Sequence, residues 1–141
     1  MNFLLDTNVI SEWTKASPNA GTVRWLAEAD EDRVFISAVT IAEVRHGIER
    51  LPRGSKRDRL DAWLTEDLPA RFADRILPVD TNVGDRWGRI MVRGQAAGRT
   101  VGTMDALIAA TAERHDMVLV TRNISDFEAL GLRLIDPWQA G

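Results

Sequence analysis

Four carboxylates in this sequence could do chemistry together if folding gathers them: Asp6, Glu43, Asp105 and Asp126. Asp6 ends a short apolar run, Phe3-Leu4-Leu5, and is followed by Thr7 and Asn8 before apolar residues resume at Val9 and Ile10. Glu43 falls in the first turn of a helix expected after an apolar stretch, Val34–Ser37. Asp105 opens an alanine-rich helical segment, and Asp126 follows the stretch Val118–Thr121 by a few residues. Each acid therefore stands just past a predicted strand or at the start of the next helix. In an open parallel sheet, ligands gather beyond the carboxyl ends of the strands, so acids at such positions form a natural group.

Each also has a purely structural use. Thr40-Ile41-Ala42-Glu43 fits a capping box. Asp105 lies just after Thr103, a plausible helix cap, where an acid favours the helix dipole. Asp126 could cap a short helix running into Phe127 and Leu130, and Asp6 could form a turn with Asn8. Together the four are harder to explain this way. At ~4 Å and an effective dielectric near 20, each like-charge pair costs about 4 kcal/mol. A domain stable by only ~5–15 kcal/mol does not easily hold such a cluster ionised and unpaired. Either some acids are protonated or a cation neutralises them. The chain has no cysteine and only two histidines. An oxygen-only ligand set suits Mg²⁺ or Mn²⁺, not zinc. Carboxylates holding such an ion with open water positions are equipment for metal-assisted phosphodiester hydrolysis.

The elements that must position these acids alternate along the chain. Strands are predicted near Phe3–Leu5, Val34–Ser37, Ile76–Val79, Val118–Thr121 and Arg133–Ile135. Helices are predicted near Val9–Thr14, Thr22–Ala29, Ile41–Arg50, Arg57–Leu68, Val83–Ala97 and Met104–His115. This alternation is the signature of an α/β fold around a mostly parallel sheet of about five strands. Val83, Trp87, Ile90, Met91 and Gly94 share one helical face, as do Leu60, Trp63, Leu64 and Leu68. Met104–Ala112 is rich in small residues that allow close approach to a sheet, which places that helix at the centre.

At 141 residues a single domain is expected, large enough to bury a core without staples. An apolar content of 45% and a charged content of 28% exclude a disordered chain. No apolar run approaches the ~20 residues of a membrane span, and Asp6 interrupts the N-terminal apolar run before a signal h-region could form. A cytoplasmic protein is expected. The net charge of −3 argues against general coating of nucleic acid. Locally the balance differs, because Arg45, Arg50, Arg53, Lys56, Arg57 and Arg59 crowd one stretch, and arginine suits bidentate contact with phosphate. A phosphorylation-dependent receiver domain would also place an acid after its first strand. Receivers need a lysine after the final strands, and the only lysines here are Lys15 and Lys56.

Four phrases carry a specific resemblance: LLDTNVISE, ISAVTIAEVRHGIERL, MDALIAATA and VLVTRNISDF. In order and spacing they resemble the signature blocks of PIN-domain ribonucleases, and within these the VapC-type toxins of toxin–antitoxin modules, including FitB-like members. The likeness runs from Met1 to about Trp138. It implies a three-layer α/β/α PIN-like fold and an endoribonuclease using Mg²⁺, with Mn²⁺ as an alternative. Asp6 and Asp105 match the principal metal-binding aspartates, and Glu43 and Asp126 match acids that act directly or through water. Thr7, Asn8, Thr121 and Asn123 match polar positions that orient ligands or bound water. RNA would be drawn by a local basic surface, Arg45, Arg50, Arg53, Lys56 and Arg57, with help from Arg89, Arg93 or Arg99. The resemblance also implies a homodimer and a cognate VapB-type antitoxin whose tail blocks the acidic site, with larger assemblies reaching operator DNA only through the antitoxin. Trp13 is the best-placed tryptophan for such an interface, whereas Trp63 and Trp87 fit helical core stripes. A catalytically silent PIN-like scaffold and a PIN-type nuclease acting on DNA are the alternatives.

Overall fold

Phe3-Leu4-Leu5 forms β1, the central strand of a five-stranded, all-parallel sheet. The computed structural model describes residues 1–139. The other strands are β2 (Val34–Ser37), β3 (Ile76–Leu77), β4 (Val118–Val120) and β5 (Leu134–Ile135), in the spatial order β3-β2-β1-β4-β5. Phe3 lies opposite both Val34 and Val118, so the three middle strands are in step and end at a common edge.

Strand side chains alternate between faces, and the two faces feed two separate cores. Leu4, Phe35, Leu77, Leu119 and Leu134 face one core, with α6 (Thr81–Ala96) and α7 (Thr103–Arg114). Leu5, Val34, Ile36, Val120 and Ile135 face the other, under α1 (Thr7–Ser11), α2 (Ala20–Glu28), α4 (Ser55–Ala62) and α5 (Leu68–Phe72). The helix α3 (Ala38–Glu49) gives Val39 to the first core and Ile48 to the second. Unbroken apolar strands are what a sheet covered on both sides requires. The three-layer α/β/α expectation holds, and the sheet is wholly rather than mostly parallel. The strand predicted to reach Val79 stops at Leu77, because Pro78 has no N–H with which to continue the ladder.

The predicted helical stripes pack as their spacing requires. Val83, Ile90 and Gly94 are buried on α6, with Trp87 and Met91 packed beside them. On α7, Ala106 and Ile108–Ala112 are buried, so the alanine-rich helix is the most deeply seated. The helix expected over Arg57–Leu68 is longer and not uniform. It begins at Ser55, widens into a π turn over Trp63–Asp67, and continues as α5. The cause is Pro69, which has no N–H and whose ring clashes with the carbonyl four residues back. The Leu68 N–H bonds instead to the Trp63 carbonyl, one residue further along than in an α-helix. Among the described residues, no helix is long and apolar enough to cross a membrane.

Gly94 sets the path of the chain into α7. A Cβ built there would lie 2.6 Å from Cγ2 of the buried Val101, just ahead of the turn that starts α7 and carries Asp105. Gly94→Ala is therefore expected to destabilise the fold by about 1–3 kcal/mol through overpacking, read as a lowered denaturant midpoint. Gly88→Ala, with nothing within 4 Å, is the control and should not lose stability.

Candidate active site

The sheet order creates one crevice. From β1 the chain moves to β2 on one side, while β4 pairs on the other, so β1 and β4 flank the point where the strand order reverses. Ligands in such sheets bind beyond the carboxyl ends at that point. Asp6 stands there, directly after β1, and is only 4% exposed. It caps α1, its Oδ1 accepting the Thr7 N–H at 2.7 Å. Its Oδ2 accepts the Thr121 hydroxyl at 2.7 Å and the Asn8 amide at 3.3 Å. The capping role and the site role are thus served by different oxygens of one carboxylate. A carboxylate offers about four lone-pair sites, so capacity for a further partner is left.

Thr121 follows β4 directly and is fully buried. Besides donating to Asp6, its hydroxyl accepts the Asn123 backbone N–H at 3.0 Å. Asn123 therefore acts on the site through its backbone, and its side chain makes no cap hydrogen bond to α8 (Ile124–Phe127). Asn8 ties the two loops together, its Oδ1 accepting the Arg122 N–H at 3.3 Å.

Glu43 needs a correction. The capping-box reading placed Thr40 at the start of the helix, but the N-cap is Ser37, whose hydroxyl accepts the Val39 N–H at 3.0 Å. The polar Ser37 at the end of an apolar strand captured the helix start three residues earlier. Glu43 consequently lies in the second turn of α3 and is free of capping duty. Its Oε1 accepts the Thr7 hydroxyl at 2.6 Å, and that hydroxyl lies 3.1 Å from the buried Thr40 hydroxyl. Thr40 belongs to the site's support, a role its place in the sequence, three residues before Glu43, disguised as a cap.

Asp105 is in the first turn of α7, whose N-cap is Gly102 rather than the expected Thr103. Its carboxyl is pushed up to about 6, first by burial and then by the charges of Asp6, Asp126 and Glu43. Asp6 is raised as well, mainly by burial and further by Glu43, against the hydrogen bonds from Thr121, Thr7 and Asn8 that favour its ionised form. Asp126, exposed in the first turn of α8, completes the group, and Asn123 rather than Asp126 is the cap there. Asp105 thus lies within the field of the other three acids across the crevice. Among the described residues, no three His, Asp or Glu side chains already close into a metal cage. Mg²⁺ keeps several of its waters and dehydrates reluctantly, so an open, all-oxygen, mutually repelling set fits it better than a tight cage would.

Residues 3–131 match the family model described as PIN domain. The chain belongs to the PIN-domain family. The PIN domain is similar over its length to the VapC ribonuclease Y4jK of Sinorhizobium fredii, with 36% identity covering 96% of this chain and 97% of that protein. It is similar also to the toxin FitB of Neisseria gonorrhoeae, at 37% identity, 96% of this chain and 97% of the other. Among solved structures, FitAB bound to a DNA fragment, IR36, aligns with a TM-score of 0.91 at 37% identity, covering 96% of this chain and 95% of that one.

The surroundings of the PIN-domain crevice sort the remaining candidates. Arg45 is bound to Asp61 at 2.7 Å, and Arg57 to Glu49 at 2.6 Å. Arg89 pairs with Asp85 and Arg93 with Glu113. No ion pair engages Arg50, Arg53, Lys56, Arg59 or Arg99 among the described residues. A groove of about 400 Å³ lies at the other end of α7, but the groove that reaches one of the four acids, Glu43, is one of about 660 Å³. Thr7 and Glu43 line it together with Val44, Leu60 and Trp63 and with the basic Lys56 and Arg59. Trp63 thus belongs both to the core and to a groove. Trp13 is half-buried, with the Arg71 guanidinium 4.1 Å from its ring centroid and Phe72 beside it. Trp87 is packed as expected and donates to the Thr103 carbonyl at 3.3 Å. His46 is exposed on α3, and His115 ends α7 about 15 Å of helix away from Asp105.

One charged residue escaped sequence reasoning. Glu12 is 3% exposed, with Lys15 Nζ 2.5 Å from Oε2 and the Asn19 N–H on Oε1 at 2.9 Å. Burial opposes its charge, but Lys15 and the Asn19 N–H outweigh this and hold its carboxyl below the usual range. The available signal was the i, i+3 spacing of Glu12 and Lys15 on a short helix.

Proposed function

We propose that this chain is a metal-dependent endoribonuclease and the toxin of a VapBC-type pair. The observation that carries the reading is the crevice at β1 and β4, where Asp6, Glu43, Asp105 and Asp126 share one electrostatic field and Asp105 is pushed up to about 6. Such a set demands protons or a cation. Full-length likeness to proteins named ribonuclease and toxin, at 36% and 37% identity, supports RNA as the polymer cut.

Asp6 and Asp105 would hold Mg²⁺ or Mn²⁺, with Glu43 and Asp126 contributing directly or through water. When bound, such an ion supplies Lewis acidity and lowers the pKa of water in its shell. The chain's own residues supply the rest. Hydrogen bonds from Thr121, Asn8 and the Thr7 N–H favour the ionised form of Asp6 against burial and aim its carboxylate, and the Thr7 hydroxyl fixes Glu43. The reaction is hydrolysis of a phosphodiester, in which water adds to phosphorus as the bond to the leaving ribose oxygen breaks. Of the basic residues proposed to meet RNA, Arg50, Arg53 and Lys56 are in no ion pair among the described residues, and neither is Arg59 beside them, while Arg45 and Arg57 would first have to leave Asp61 and Glu49.

A cognate VapB-type antitoxin is the proposed partner, with a tail in the groove between Thr7, Glu43 and Trp63. The FitAB complex bound to DNA supports a pair of this kind, in which operator DNA is reached through the antitoxin. A homodimer of the toxin, built into a larger assembly with antitoxin, and a cytoplasmic location complete the proposal.

The test is cleavage of total cellular RNA by antitoxin-free protein in Mg²⁺, in Mn²⁺ and in chelator. Discrete fragments that appear only with metal, and not with Asp105→Asn, are expected. Equal cutting by wild type and mutant would place the active site elsewhere. Binding of metal with no cutting of RNA, or cutting of DNA alone, would replace the ribonuclease reading with a silent module or a DNA nuclease.

A further inference from the structure

We propose that Arg122 binds a phosphate of the RNA flanking the one at the acid site, with Trp138 as its fixed support. This rests on the ribonuclease reading and adds a substrate contact to it.

A strand of RNA entering the crevice meets four carboxylates, and even a divalent cation leaves their summed charge negative. A cation close to the β1 and β4 ends is needed to offset the repulsion of a flanking phosphate. The basic residues of α3 and α4 are less suited to this: Lys56 and Arg59 line the groove beside Glu43, to which no β4 residue contributes. Arg45 and Arg57 are paired with acids, and Arg50 lies at the far end of α3 from the crevice. Lys15 lines the same groove but is bound to the buried Glu12 at 2.5 Å.

Arg122 differs in each respect. It sits between Thr121, which donates to Asp6, and Asn123, whose N–H reaches the Thr121 hydroxyl. Its own N–H is held by Asn8 Oδ1 at 3.3 Å, so its backbone is part of the site's frame. Its guanidinium lies 5.4 Å from the centroid of the Trp138 ring. Trp138 packs against the core that includes Leu5, Ile10 and Val120, and its N–H is fixed by Asp136 Oδ1 at 2.9 Å. The side chain is exposed, and no carboxylate forms an ion pair with it among the described residues. Glu12 acts on it through its field, its nearer partners being Lys15 and the Asn19 N–H. A guanidinium stacked on an aromatic face keeps its donors free at the edge, in the planar fork that suits phosphate. Holding it in place beforehand lowers the entropy lost on binding.

The experiment measures binding of a short labelled single-stranded RNA in chelator across a salt series, with cleavage kinetics in Mg²⁺ alongside. Arg122→Ala should bind RNA about tenfold more weakly, and the slope of log affinity against log salt should fall by about 0.7, one phosphate contact. KM should rise with kcat little changed, Arg122→Lys should restore part of the affinity, and Tm should not move. Trp138→Leu, which keeps an apolar core residue, should reproduce part of the loss with Arg122 still present. An unchanged salt slope and KM in Arg122→Ala overturn the proposal. So does a loss of binding that tracks a fall in Tm and is not restored by lysine, which marks a structural role. If wild type neither binds nor cuts RNA, the ribonuclease reading itself fails, a result separate from a wild type that cuts and an Arg122→Ala that cuts equally well.

Discussion

Asp105→Asn is expected to lose RNA cleavage by about a thousandfold or more and yet to be the more stable protein when metal is absent. A catalytic ion contributes several kcal/mol to the transition state, and ~4 kcal/mol corresponds to roughly a thousandfold in rate. The stability gain follows from the charge cluster. The Asp105 carboxyl is pushed from its ordinary 3.8 to about 6 by burial and by Asp6, Asp126 and Glu43. The folded protein therefore binds this proton more tightly than the unfolded chain does. That contribution is complete below the ordinary value of 3.8 and is lost as pH rises through about 6. At pH above 7 the folded state carries an ionised Asp105 against its neighbours, and asparagine removes that cost. At ~1.4 kcal/mol per tenfold change in proton affinity, roughly halved for a half-buried carboxyl still screened by water, the gain is about 1–2 kcal/mol. In a chain of this size that raises Tm by about 3–6 °C. Thermal melts in chelator should show the gap at neutral pH and its closure near pH 4. Added Mg²⁺ should then raise the Tm of wild type and leave the mutant nearly unmoved. A mutant less stable than wild type at neutral pH without metal would show that the acids do not strain the fold.

Thr121→Val should be costly in both stability and activity, although it changes little volume. The hydroxyl is fully buried, donates to Asp6 at 2.7 Å and accepts the Asn123 N–H at 3.0 Å. Valine leaves both partners without it inside the protein, at about 1–3 kcal/mol. It also removes the hydrogen bond that most opposes the raising of Asp6 by burial. Asp6 then moves further up, so the mutant loses more stability at neutral than at acidic pH, the same sign as for Asp105. Support of this kind for a ligating carboxylate is worth about ten- to a hundredfold in metal affinity or activity. Thr121→Ser, which keeps the hydroxyl, should recover most of the metal affinity measured by calorimetry. A valine variant that binds Mg²⁺ as tightly as wild type would reduce Thr121 to a packing residue.

Part of the site was legible in the chain because it is written in local terms. Asp6 with Thr7 and Asn8, and Thr121 with Asn123, sit at strand ends that short apolar runs announce, and their acids and donors follow within one or two residues. Glu43 shows the limit. A capping box and a support triad of Thr7, the buried Thr40 and Glu43 look alike in sequence, since both place an oxygen three residues ahead of a glutamate. Only the start of α3 at Ser37 tells them apart. Glu12 was passed over for a related reason: a charged residue beside Lys15 reads as solvated until burial is known. In the basic stretch from Arg45 to Arg59, the run of arginines does not reveal that Glu49 and Asp61 hold two of them.

What the sequence determined by itself is the alternation of elements, the two-faced burial of the strands, and the set of oxygen ligands available. These depend on periodicity and residue type, which are properties of neighbours along the chain. The strand order, with β4 beside β1, was decided by tertiary structure alone. That pairing brings Thr121 to Asp6 across 115 positions of sequence, and it sets Asp105 and Asp126 in the field of Asp6 and Glu43. Long-range pairing depends on how whole faces bury against one another, and so does the electrostatic strain among the acids that the proposed cation would relieve.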